Sequence, residues 1–260
     1  MSAFHELHRP GDPLLLPNAW DYASAAALAA AGFAAIGTTS LGVAAAHGFP
    51  DAHGHGRAET VALARLLLRL PCLVTVDFEA GFSADPAEVG ELAAELSELG
   101  VVGVNLEDGR PDGMLADPGD QARLIAAVKT RAPDLFLNAR IDTYWLGTGT
   151  GGTRARAERY LAAGADGIFV PGLATDADIA AVVSAVPAPL NVLYLPQHHT
   201  VRRLAELGVA RISTGSLLYR VAIHAAMTTA RMLRGDATVP ADPPSYAEIQ
   251  QLIAGTADPR

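Results

Sequence analysis

Cys72-Leu73-Val74-Thr75-Val76-Asp77-Phe78-Glu79-Ala80-Gly81-Phe82-Ser83 is an apolar, β-prone run that ends in two carboxylates spaced i, i+2, with a glycine just beyond. Asp and Glu are poor strand formers, so the acids mark the place where a buried strand stops. Residues two apart point to the same face of an extended chain. Two like charges on one face repel unless something positive lies between them. The stretch alone leaves two readings open. One is a divalent cation held by oxygen ligands. The other is a solvated strand end that leads into a helix at Asp85-Pro86.

Working outward, the same unit recurs along the chain. Residues 14–20, 33–39, 72–77, 101–108, 135–141, 167–171, 189–195 and 210–214 read as strands. Helices are expected at 21–31, 59–69, 86–100, 118–132, 153–163, 176–185, 200–207 and 216–234. Asp21 is a natural N-cap, Pro86 and Pro118 suit the first turn, and Gly32 and Gly100 suit helix ends. A long loop, 42–57, carries His47, Asp51, His53 and His55. Eight strand–helix units in a chain of this length predict α/β architecture as a single (β/α)8 barrel over 1–235. A tail over 236–260, with a Pro-rich linker and a short helix at 246–253, follows it. A doubly wound sheet is the rival, but Trp20-Asp21-Tyr22 after the first strand is no phosphate fingerprint.

Composition narrows the function classes. The net charge is −9 and no basic cluster stands out, which argues against nucleic acid and anionic membrane as partners. The single cysteine, Cys72, excludes an intrachain disulfide framework and a Cys-rich metal site. Neither a signal core nor an apolar run of membrane-span length is present, so a cytoplasmic protein is expected.

In such a barrel the strand C-termini form the active-site mouth. Asp77 and Glu79 end the third strand, Glu107 and Asp108 the fourth, and Arg140 and Asp142 the fifth. Thr38, Thr39 and Ser40 end the second, with Asp51 in the loop beyond. Several acids converging opposite one arginine fit a small anionic substrate held on a metal. Asp51, Asp77, Glu79 and Glu107 are hard oxygen ligands, or water holders, for Mg2+ or Mn2+. Arg140 offers a planar fork for a carboxylate. The Ser40 and Leu41 N–H groups, with the Thr39 hydroxyl, are candidates for its other end. Asn191, within the seventh strand, lines the pocket or satisfies buried backbone. Tyr22, His47, His53, His55 and Tyr144 are candidate acid/base groups near the mouth.

Taken in order, Pro17-Asn18-Ala19-Trp20-Asp21, Gly37-Thr38-Thr39-Ser40, Gly48-Phe49-Pro50-Asp51, Asp77-Phe78-Glu79-Ala80-Gly81-Phe82, Leu106-Glu107-Asp108, Asn138-Ala139-Arg140-Ile141-Asp142 and Gly164-Ala165-Asp166-Gly167-Ile168-Phe169 resemble the isocitrate lyase/phosphoenolpyruvate mutase superfamily. The resemblance runs from Leu14 to Leu218. It implies a (β/α)8 barrel whose last helix is exchanged between subunits of a homodimer or homotetramer. It implies Mg2+ near Asp77, Glu79, Glu107 and Asp51, and substrate contacts from Thr39, Ser40, Leu41 and Arg140. It implies cleavage or rearrangement next to a 2-oxo or 2-hydroxy acid through an enolate, with Arg140, Asp51 and Glu107 in catalytic roles.

Two departures stand out. Glu79 replaces the family's usual Asp. The lid after the fourth strand, 109–117, lacks both the Lys-Cys-His set of the isocitrate-type lyases and the Lys and Asn of the phosphonate mutases. Cys72 starts its strand, roughly 16 Å from Asp77, and cannot substitute. The expected activity is Mg2+-dependent cleavage of a C–C bond in a small 2-oxo or 2-hydroxy dicarboxylate. The alternatives are a P–C bond enzyme, of the carboxyphosphonoenolpyruvate mutase or phosphonopyruvate hydrolase type, and a metal-dependent 2-oxo acid binder without catalysis.

Overall fold

The computed structural model describes residues 3–235. The expected tail helix at 246–253 lies outside the described residues. Nine strand segments are present among them: β1 (Leu14–Leu16), β2 (Asn18–Ala19), β3 (Ala35–Thr38), β4 (Leu73–Asp77), β5 (Gly103–Glu107), β6 (Phe136–Arg140), β7 (Gly167–Val170), β8 (Leu190–Leu193) and β9 (Arg211–Ser213). All pair in parallel, in the order β1-β9-β8-β7-β6-β5-β4-β3-β2.

The ninth segment arises because the expected first strand is cut at Pro17. Proline has no N–H to give to a ladder. The chain changes partner there: β1 pairs with β9 and β2 with β3. Covalent continuity through Pro17 thus closes the ring into a (β/α)8 barrel. The Asn18 carboxamide fastens the seam. Its Nδ2 donates to the Thr38 carbonyl at 2.7 Å. Its Oδ1 accepts from the Thr214 N–H, the Thr214 hydroxyl and the Gly215 N–H at 3.0, 3.2 and 2.9 Å.

The helices are α1 (Ala3–Glu6), α2 (Tyr22–Ala30), α3 (Ser40–Ala46), α4 (Arg57–Leu67), α5 (Pro86–Leu99), α6 (Pro118–Arg131), α7 (Thr153–Ala162), α8 (Asp176–Ala185), α9 (Val201–Glu206) and α10 (Leu217–Arg234). Capping chemistry sets their starts. Asp21 and Ser24 form a reciprocal capping box on α2. Asp117 accepts the Gly119 and Asp120 N–H groups at the start of α6. Gly100, at φ 110°, ends α5 in the left-handed region where a side chain is strained.

Two helices depart from expectation. α1 was not foreseen, and α3 occupies part of the presumed loop 42–57. The alanines of 44–46 are strong helix formers, and Gly42 is required by close approach: a Cβ there would stand 2.8 Å from Trp20 Cβ. Phe4 of α1 is fully buried and meets the Phe136 ring edge-on at 5.5 Å, covering the N-terminal end of the barrel. The main core lies between strands and helices, where Val76, Val104, Leu137 and Ile168 belong to one cluster with Leu92 and Ile125. By contrast, α10 buries none of its side chains. Its Val221, Ile223, Met227 and Leu233 are all exposed.

Candidate active site

Four neighbouring strands bring the site together. Thr38, Asp77, Glu107 and Arg140 are the last residues of β3, β4, β5 and β6. Glu107 and Arg140 are register partners. Arg140 Nη1 lies 2.6 Å from Glu107 Oε2, and Arg140 Nε donates to Asp142 Oδ1 at 2.7 Å. The expected open fork is therefore a buried bridge between two carboxylates. Asp142 had no role in the sequence reading beyond its position. Asp77 accepts the Ser40 N–H on Oδ2 at 3.2 Å, and its own N–H donates to the Thr38 hydroxyl at 2.8 Å. The Ser40 N–H, expected to hold substrate, is thus engaged by Asp77. Leu41 lies in the first turn of α3, where N–H groups have no partner within the helix. Thr39 is buried at the N-cap of that helix but makes no side-chain cap.

Glu79 departs from simple alternation. Its φ is +47°, so the extended backbone ends before it, and the same-face argument from i, i+2 spacing does not carry past Phe78. The buried Glu79 carboxylate accepts the Gly54 N–H at 3.1 Å. It lines a cavity of about 220 Å³ with His53, Phe82, Ser83, Arg110 and Pro111, between the loops that follow α3, β4 and β5.

The acids repel one another in a poorly hydrated site. Burial pushes Glu79 up to about 7, the Gly54 N–H opposes this, and Asp77 and Asp51 add to it. Burial and then Asp77 raise Asp51, against a hydrogen bond from Ser40. Burial likewise raises Glu107, with Arg140 pulling down and Asp142, Asp77 and Asp51 pushing up. Burial alone would lower the Arg140 guanidinium, but Glu107 and Asp142 more than offset it and keep it charged.

Asp51 carries the test for a metal. Its Oδ1 is buried and finds no hydrogen-bond partner among the described residues. An orphaned carboxylate oxygen, in a cluster of acids that raise one another, suits a cation ligand. No three His, Cys, Asp or Glu side chains among the described residues stand close enough to ligate one ion directly. Magnesium keeps several of its waters, so this spacing fits a hydrated ion held largely through water.

Other candidates do not join the cluster. Asn191 is buried in β8, where its Oδ1 accepts from Ser213, and its Nδ2 has no partner among the described residues. His47 Nδ1 bonds the Val43 carbonyl and His53 Nδ1 the Asp51 carbonyl. Tyr144 donates to Asp178 at 3.3 Å. Sequence reasoning missed the base of the lid. Fully buried Asp108 accepts the Tyr160 hydroxyl, Arg156 Nη1 and the Asp142 N–H at 2.7, 2.9 and 2.8 Å. The only advance signal was the acid pair Glu107-Asp108 at one strand end.

A family model described as phosphoenolpyruvate phosphomutase matches residues 4–234. The chain belongs to the phosphoenolpyruvate phosphomutase family. An uncharacterized protein of Mycobacterium tuberculosis is 46% identical over 96% of this chain and 96% of its own length. The 2-methylisocitrate lyase of Bacillus subtilis is 32% identical over 72% of this chain and 64% of its own. A phosphonopyruvate hydrolase solved with oxalate and Mg2+ superposes with a TM-score of 0.85 at 23% identity, over 97% of this chain and 94% of that one, and establishes the shared fold. This phosphomutase-family chain is therefore an enzyme of the isocitrate lyase/phosphoenolpyruvate mutase superfamily, as the motifs implied. No helix among its described residues is long and apolar enough to cross a membrane.

Proposed function

We propose that the chain is a Mg2+-dependent lyase that cleaves a C–C bond of a small 2-oxo or 2-hydroxy (di)carboxylic acid through an enolate. The observation that carries this is the orphaned Asp51 oxygen beside Asp77, facing the Glu107–Arg140–Asp142 bridge. Asp51, Asp77, Glu79 and Glu107 hold the ion, mostly through water. Bound there, Mg2+ supplies the positive charge that favours an anionic oxygen on the substrate.

The chain's own groups do the rest. Arg140 is locked in one orientation by Glu107 and Asp142, which pre-organises it for a substrate carboxylate. The Leu41 N–H and the Thr39 hydroxyl receive the other end. Burial of Glu107 and Arg140 strengthens each contact they make. Asn191, outside the acid cluster, is a further candidate donor from β8, its Nδ2 lacking a partner among the described residues. The exposed apolar side of α10 supports packing against a second subunit in a homodimer or homotetramer, and sedimentation as a monomer would count against it.

A turnover screen with Mg2+ and small 2-oxo and 2-hydroxy dicarboxylates tests the reading. Release of CO2 or of a shorter 2-oxo acid is expected. Phosphate released from phosphonopyruvate, or Mg2+-dependent binding of oxaloacetate without product, would replace the lyase reading. Asp77→Ala is expected to abolish Mg2+-dependent oxalate binding by calorimetry. Unchanged binding would remove Asp77 from the metal site.

A further inference from the structure

Arg211 opens β9 with its side chain inside the barrel, completely buried. Its Nη2 donates to Asn105 Oδ1 at 3.3 Å, an oxygen that also accepts from Asn138 Nδ2 at 2.9 Å. Its Cζ lies 5.9 Å from the centre of the Phe4 ring. Nε and Nη1 have no acceptor among the described residues, and the side chain makes no ion pair there. A buried guanidinium without a carboxylate is among the costliest groups a core can hold. A long apolar residue in its place would fill the same space and keep the contact with Phe4. Packing therefore gives no reason for the charge.

A reason for the charge is offered by the neighbouring strand end. Asn105, which Arg211 touches, is the register partner of Asp77. Burial pulls the Arg211 guanidinium down to about 9, and the charge of Asp77 is what holds it up. At neutral pH it stays cationic. The mouth carries Asp51, Asp77, Glu79, Glu107 and Asp142 against Arg140. That excess of negative charge suits a divalent cation but repels an anionic substrate. A second cation beneath the acids shifts this balance in two opposite senses. It weakens the pull on the metal and strengthens the pull on an anion.

We propose that Arg211 is an electrostatic positioning residue, a buried counter-charge that lets an acid-lined metal site accept an anionic 2-oxo acid. The proposal rests on the reading of the mouth as a Mg2+ and 2-oxo acid site. It gives a signed pair of effects that a packing role would not produce. Calorimetry is run with MgCl2 alone, and then with oxalate at saturating Mg2+, on wild type, R211M, R211Q and R211K. R211M removes the charge and keeps the length. R211Q keeps a donor for Asn105, so one charge-free variant remains if the other does not fold.

In the charge-free variants Mg2+ binds more tightly and oxalate more weakly, each on the order of tenfold for a charge acting across about 10 Å of protein. R211K returns both affinities toward wild type. If both affinities fall together, or neither moves, Arg211 is structural and the proposal is overturned. If wild type binds neither Mg2+ nor oxalate, the underlying site reading fails and the proposal goes with it.

Discussion

Asn18→Ala is the sharpest test of how this barrel closes. The Asn18 side chain is buried and bonds across both sides of the Pro17 break. Truncation leaves the Thr38 carbonyl and the Thr214 and Gly215 N–H groups without their partner. A buried backbone group that loses its partner costs about 1–3 kcal/mol, and water entering the space recovers part of it. We therefore expect a loss of about 3–5 kcal/mol, a lowering of Tm by roughly 10 °C in a chain of this size. Thr214→Val removes only the hydroxyl that pairs with Asn18, and is expected to cost about 1 kcal/mol. Urea denaturation of the three proteins reads both numbers. Because the Thr38 hydroxyl also accepts the Asp77 N–H, weaker oxalate binding should accompany the loss in Asn18→Ala. Stability within 1 kcal/mol of wild type would refute the seam, and would mean that the β1–β9 and β2–β3 ladders close the ring unaided.

Two further predictions follow from the site. Glu79 has a folded-state pKa of about 7, above its ordinary value, so the folded protein holds a proton that the unfolded chain has released. Without metal, stability should then fall as pH rises from about 4.5 to 7, by on the order of 2 kcal/mol after allowance for partial hydration. Thermal melts in EDTA check this: Glu79→Gln should flatten the slope, and an equal slope in both proteins would remove Glu79 as its source. Gly109→Ala would place a Cβ in overlap with Asp142 Oδ2 and 3.2 Å from its Cγ. Asp142 is held by Arg140 and by its own N–H to Asp108, so it cannot yield cheaply. A destabilisation of about 1–3 kcal/mol is expected, with weaker oxalate binding because Arg140 moves with Asp142. Retention of wild-type oxalate affinity would separate Arg140 from its support.

The strand-end acids were legible because their signal is local. An apolar run stopping at a carboxylate needs no knowledge of what lies across the barrel, and Asp77, Glu107 and Arg140 all terminate strands as read. Helix starts at Asp21, Pro86 and Pro118 were legible for the same reason, since a cap or a first-turn proline acts within its own turn, while the caps made by Asp85 and Asp117 were not singled out. What stayed hidden was long-range. Asn18 bonds residues 20 and 196 positions away, and nothing in Pro17-Asn18 announces Thr214. Arg211 sits in a short strand with the ordinary look of a polar edge, and only the closed ring makes it an interior charge. Glu79 was found, but its left-handed backbone was not, because a positive φ at a glutamate has no sequence signature.

The lid links these observations to the chemistry. Its sequence lacks the Lys-Cys-His set that the resemblance to the superfamily's lyases would lead one to expect, and its geometry bears on the proposed reaction. Residues Gly109 and Leu115 form an antiparallel bridge, and the Arg110 N–H donates to the Met114 carbonyl at 2.9 Å, so the loop is a small hairpin. Asp108 and Arg156 fasten its far end through both the N–H and the carbonyl of Ala116. The Arg110 guanidinium bonds the carbonyls of Glu107 and Gly109 and the Gln121 side chain. The one long cation on the hairpin is thus spent on fastening it. A hairpin tied at both ends, with no Lys, Cys or His of its own, is consistent with the proposed reaction if its carbanionic product takes its proton from water. Under the proposed function, decarboxylation or retro-aldol cleavage of a small 2-oxo or 2-hydroxy dicarboxylate meets that condition. Transfer to a lid nucleophile does not.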